Sequence, residues 1–116
     1  MVTKTQVVNA MRKYIDNELL PNAKTKVDRF ALRGASAVLT LRPNVILDKV
    51  LGLPLVGMLG VVDESGNVDI DLLRELLPAA MGNDTIDLRY KVMPWDVEEY
   101  GFSLGVDDVK KIFTYL

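Results

Sequence analysis

The sequence predicts an α+β fold, with a helical N-terminal half (two main helices plus short helices) packed with a small antiparallel β-hairpin and a C-terminal helix. Three observations point there. Apolar residues recur at helical spacing through the first forty positions, a run near residue 90 alternates apolar and charged side chains, and the last ten residues return to helical spacing. At 116 residues the chain has the size of one domain, 1–116. Such a domain buries about two-thirds of its unfolded surface, so one core suffices without staples.

The first helix is predicted from about Lys4 to Leu20. Thr3 stands at the N-cap and Gln6 three residues on, a capping-box pattern in which each side chain satisfies a backbone N–H of the other's residue. Val7, Met11, Tyr14, Ile15 and Leu19 then share a face, and Pro21-Asn22 stops the helix. A second helix is predicted from Thr25 to Leu41, with Val27, Phe30, Ala31, Gly34, Ala35, Val38 and Leu41 as its inward stripe. Its centre, Gly34-Ala35-Ser36-Ala37, is all small. Glycine costs about 1 kcal/mol relative to alanine in a helix, so close approach of a neighbouring element is expected there.

Val45 to Leu51 reads as two helical turns ending at Gly52, and Pro54 opens a further short helix that Gly60 closes. The thirteen residues from Val50 to Val62 carry no charge. A membrane span needs about 20, and about 10–14 marks a buried segment or an oligomer contact. Glu64-Ser65-Gly66-Asn67 signals a tight reversal, Asp69 caps a helix from Ile70 to Leu77, and Pro78 is expected to end or kink it. From Thr85 to Met93, Ile86, Leu88, Tyr90 and Val92 alternate with Asp87, Arg89 and Lys91, the pattern of a strand with one dry face. Pro94-Trp95-Asp96 turns the chain, and Tyr100, Phe102 and Leu104 mark the return strand. Asp107 is the expected cap of a last helix that runs to the end of the chain. Its Val109, Ile112, Phe113 and Leu116 are expected to cover the hairpin's dry face.

Composition narrows the function. Cysteine and histidine are both absent, which removes disulfides, thiolate nucleophiles, the commonest metal ligands and every Ser–His or Cys–His triad. No metal or other cofactor is expected, and no enzyme. The opening residues lack the apolar core and cleavage site of a signal peptide, so a soluble, cytoplasmic protein is expected. The segment Asp63–Asp69 resembles part of a calcium loop, but Val61 and Leu72 would occupy its first and last ligand positions, leaving too few oxygens. Asp69/Asp71, Asp96/Glu98/Glu99 and Asp107/Asp108 sit at helix starts and in a turn, where carboxylates cap or are solvated.

Two surfaces remain as candidates. The apolar fraction of 49% and mean hydropathy of +0.16 exceed what one core needs, which points to self-association or a larger protein partner. Val50, Leu53, Leu55, Val56, Met58 and Trp95 are the candidate interaction surface, Trp95 either packing under the hairpin or standing out as an anchor. Lys26, Arg29 and Arg33 form a basic face on the second helix, so nucleic acid is the alternative partner. A membrane partner is not expected, since Pro54, Gly57 and Gly60 interrupt any amphipathic helix. Charge is unevenly divided. Residues 1–44 hold eight basic and three acidic side chains, a net of +5, and residues 45–116 six and thirteen, a net of −7. Opposite halves attract within a molecule or between copies.

Two segments, Tyr14-Ile15-Asp16-Asn17-Glu18-Leu19-Leu20-Pro21 and Val106-Asp107-Asp108-Val109-Lys110-Lys111-Ile112-Phe113-Thr114-Tyr115-Leu116, resemble small uncharacterised proteins of bacteriophages and prophages. That resemblance covers the two ends of the chain. It implies a small accessory or assembly protein, with no mechanism and no functional residues attached.

Overall fold

Thr3 starts the fold as expected. Its hydroxyl accepts from the Gln6 N–H at 3.2 Å, while the Gln6 side chain accepts from the Thr3 N–H at 2.8 Å, and α1 (Lys4–Tyr14) follows. The computed structural model describes residues 1–51 and 60–116. The α-helix does not continue to Leu20. From Ile15 to Leu19 it widens into a π-turn, sealed by the Leu20 N–H on the Ile15 carbonyl at 2.8 Å. Ile15 stays buried, Leu19 is only half-buried, and Glu18 is brought round toward the end of the chain.

Thr25 caps α2 (Lys26–Leu41) through the Asp28 N–H at 3.0 Å, and Pro43 then opens α3 (Pro43–Leu51). The expected helix from Pro54 to Gly60 lies outside the described residues. Val68 pairs with both Val62 and Val2, and the reversal between them closes with Gly66 at φ +81°, a value that suits glycine. The Asp63 carboxylate accepts from the Asn67 N–H at 2.8 Å, so it serves the turn.

Asp69 caps α4 (Ile70–Met81), which passes through Pro78 rather than stopping there. Pro78 removes one N–H from the helix ladder. The turn beyond it holds because Ala79 and Ala80 are strong helix formers, Met81 is buried, and Gly82 at φ +57° provides the stop.

The hairpin consists of β1 (Ile86–Tyr90) and β2 (Tyr100–Leu104), antiparallel, with Leu88 opposite Phe102 and Tyr90 opposite Tyr100. The alternation is as predicted: Ile86, Leu88 and Tyr90 are buried, and Asp87 and Arg89 are exposed. The strand ends at Tyr90, however, and Val92 lies in the connection, half-buried. Helices α2 and α3 provide most of the hairpin's cover. The last helix, α5 (Val106–Thr114), touches β2 and packs chiefly against α1 and α4. Its cap is Gly105, whose N–H the Asp108 carboxylate accepts at 2.8 Å, not Asp107. The helix stops at Thr114. Val109, Ile112 and Phe113 are buried, whereas Leu116 is exposed.

One core links these elements, with Tyr14, Ile15, Leu39, Ile46, Leu47, Leu88 and Tyr90 nearly inaccessible at its centre. The structure is thus α+β, with helices over the N-terminal half, one hairpin, and a final helix. No helix among the described residues is long and apolar enough to cross a membrane.

Candidate interaction surface

Helix α2 carries two apolar stripes. Ala31, Leu32, Ala35, Val38 and Leu39 are buried. Val27, Phe30 and Leu41, assigned inward by sequence, point out, at 74, 61 and 70% exposure. With the exposed Ala37 these three recur at spacings of three, seven and four, so they share one side of the helix, and Gly34, which would complete the series, is taken up by the hairpin. The expected single stripe was a mixture of the two. Leu32 and Leu39 complete the inward one. The signal that separates them is the second i, i+3, i+7 series itself, since a helix with one buried face needs only one.

The helix turns about 100° per residue, which orders what surrounds Phe30. Ala37 and Leu41 lie within about 20° of it, so they extend the same line. Lys26 and Arg33 lie about 40–60° to one side, with Arg29 farther round. All three cations are exposed, and none has a carboxylate within ion-pair distance among the described residues, whose ion pairs are Arg74–Asp71 and Lys111–Glu18.

Gly34 lies on the other side, where the hairpin crosses. A Cβ there would stand 3.2 Å from the Tyr90 hydroxyl, which donates to the Ala31 carbonyl, so the expected close approach is that of the hairpin. The Phe30 and Tyr100 rings meet at 5.3 Å, and the Tyr100 hydroxyl donates to the Glu98 carboxylate at 3.0 Å. That bond, with some burial, holds the Tyr100 phenol above the ordinary tyrosine range. Arg42 ties the connection to the end of α2 through the Val92 carbonyl at 3.4 Å. The Lys91–Glu99 connection thus flanks α2, with Trp95 74% and Val97 94% exposed beside Glu98 and Glu99. Beside Phe30 the order across the surface is cationic, apolar, then acidic, while toward Leu41 the connection presents the exposed Lys91 next to Val92 and Arg42.

The other sequence candidates distribute differently. Trp95 stands out from the connection and does not pack under the hairpin. Val50 is buried in the core and contributes to no surface. Leu53, Leu55, Val56 and Met58 lie outside the described residues. Lys26, Arg29 and Arg33 share the exposed side of α2, next to the outward apolar stripe as well as away from the core.

Three of the candidate carboxylates are engaged locally. Asp69 caps α4, Asp96 accepts from the Met93 N–H at 2.9 Å, and Asp108 accepts from Gly105 and Tyr14. Among the described residues no cluster of three acidic groups is placed to hold a metal ion. Compared with protein-family models, curated proteins and solved structures, the chain matches none.

Proposed function

We propose that this chain is a non-enzymatic protein–protein interaction or assembly accessory protein, and that it works through the outward face of α2. One observation carries the reading: Val27, Phe30 and Leu41 stand exposed on one side of α2, and Trp95 and Val97 stand exposed on the connection that follows β1. Single exposed apolar residues are ordinary on a protein surface, but a contiguous apolar seam marks a contact site. The lack of histidine and cysteine, and carboxylates committed to caps and turns, favours binding over chemistry. The resemblance of both chain ends to small phage proteins implies the same accessory class, and the lack of cysteine suits a reducing cytoplasm.

A photo-crosslinking amino acid at position 30, introduced in cells that make the protein, tests this. Adducts are expected at position 30 and not at Thr114, which is exposed on α5 away from this face. Equal labelling at both positions, or none at either, overturns the reading.

Nucleic acid is the second reading, favoured by three exposed cations on one side of α2 with no ion pair among the described residues. Binding of that kind releases counterions and weakens steeply with salt. A gel shift at low salt decides it, and no retardation at tens of micromolar protein removes it. The acidic residues across the seam weigh against it, because they repel the same phosphates.

A further inference from the structure

We infer that the partner of the α2 face is a second copy of this chain, paired about a two-fold axis running parallel to α2. This rests on the reading of that face as an interaction surface, and adds which molecule covers it and in which direction.

The order of charges identifies the partner. The seam of Phe30, Ala37 and Leu41 separates Lys26 and Arg33 on one flank from Tyr100, Glu98 and Glu99 on the other. Within one molecule the cations and these carboxylates do not meet, and the seam keeps them apart. A two-fold axis parallel to the helix exchanges the flanks, so the basic side of each copy faces the acidic side of the other, twice. Antiparallel pairing would set basic against basic and acidic against acidic, which like-charge repulsion opposes. Only the parallel arrangement makes this surface complementary to itself. It also covers the apolar seam, stacking Phe30 on Phe30 and Leu41 on Leu41 of the two copies, with small Ala37 between them to let the helices approach. A nucleic acid would meet Glu98 and Glu99 as readily as Arg33, and so matches only half of the surface.

Sedimentation equilibrium of the intact chain tests the pairing, with Phe30→Asp for comparison. A dimer is expected that weakens as salt rises, and that Phe30→Asp weakens about tenfold or more, as loss of a central aromatic anchor does. Two charge-reversed chains sharpen the test: Lys26→Glu with Arg33→Glu, and Glu98→Lys with Glu99→Lys. Each should be monomeric alone, one having two acidic flanks and the other two basic ones, and an equimolar mixture should form the heterodimer. Direction is read by cysteines in this cysteine-free chain. Val27→Cys and Leu41→Cys should each form a disulfide with their own kind, since parallel pairing sets like positions together. Antiparallel pairing joins 27 to 41 and overturns the inference. So does a monomeric native chain at about 100 µM, or a mixture that fails to associate. If the crosslinker at position 30 then captures a different protein, the interaction reading survives and the second copy does not. If it captures nothing, both fall.

Discussion

The Tyr14 hydroxyl donates a hydrogen bond to the Asp108 carboxylate, joining the last turn of α1 to the first turn of α5 across 94 positions of sequence. The other oxygen of that carboxylate accepts from the Gly105 N–H at 2.8 Å, so one side chain both caps α5 and anchors it to α1. A second tie lies beside it. Glu18, swung round by the π-turn, accepts from the Tyr115 hydroxyl at 3.1 Å and pairs with Lys111 at 3.8 Å, and the Tyr14 and Tyr115 rings meet edge-on. These contacts hold the final helix against the N-terminal half.

Tyr14→Phe should therefore destabilise the fold by about 1.5–2 kcal/mol, the scale of a hydrogen bond to a charged group, with no change in apolar volume. Asp108→Ala should cost about 1 kcal/mol more, because it also uncaps α5. Denaturant melts give both values. Equal costs for the two variants would mean that the cap contributes nothing.

Alkaline pH should act through the buried phenols. Burial is the main cause that pushes Tyr90 up to about 12 and Tyr14 higher still, the Asp108 bond adding to the latter. The fold therefore holds the protonated phenol. Its contribution is complete below the unfolded tyrosine's pKa of about 10, at which that phenol is half ionised, and is lost as pH rises toward the folded value. Tyr90→Phe should flatten this loss between about pH 10 and 12. Melts from pH 8 to 11.5 of the native and variant chains make the comparison, since lysine titration is common to both.

The hairpin register gives a third test. Leu88 lies 1% exposed in the core while its neighbour Arg89 faces solvent, offering the Lys49 ammonium only its backbone carbonyl. Leu88→Asp should cost several kcal/mol, since a buried unpaired charge is added to lost apolar burial. Arg89→Leu should stay within about 0.5 kcal/mol. Thermal melts showing the reverse order would place the strand one residue out of register.

What the sequence made legible was local chemistry. The Thr3–Gln6 box, the Asp69 cap, the Gly66 turn and the alternation from Ile86 to Tyr90 each depend on a few adjacent residues, and each formed as read. What it hid was tertiary. Either stripe of α2 could have turned inward by spacing alone. Residues 31, 32, 35, 38 and 39 won because α1, α3 and the hairpin close on that side, which left Phe30 and Leu41 outside. The same holds for Pro78, whose local cost predicts an end or a kink, while the burial of Met81 one turn later carries α4 past it. The hairpin's cover was misassigned for a related reason. Apolar stripes on α2, α3 and α5 are interchangeable in sequence, and tertiary contacts such as the Tyr90–Ala31 and Lys49–Arg89 bonds identify which helices lie there. The outward stripe is thus present in the sequence but reads as core, and Trp95 is the one residue of the expected surface that is exposed among those described.

Gly34 offers the most discriminating variant, because two effects of similar size oppose each other there. Alanine favours a helix interior over glycine by about 1 kcal/mol. Its Cβ would also lie 3.2 Å from the Tyr90 hydroxyl and 3.5 Å from its ring, and that hydroxyl is held by the Ala31 carbonyl and so gives way reluctantly. Gly34→Ala should leave stability within about 1 kcal/mol of the native chain, the propensity gain offset by the crowding. Gly34→Leu should cost about 1–3 kcal/mol, because a larger side chain must displace the hairpin from α2. In a Tyr90→Phe background the obstructing oxygen is gone, so Gly34→Ala should there stabilise by nearly the full propensity difference. The double-mutant cycle measures that coupling directly. If Gly34→Ala has the same effect with Tyr90 or Phe at position 90, the glycine is not there to admit the tyrosine.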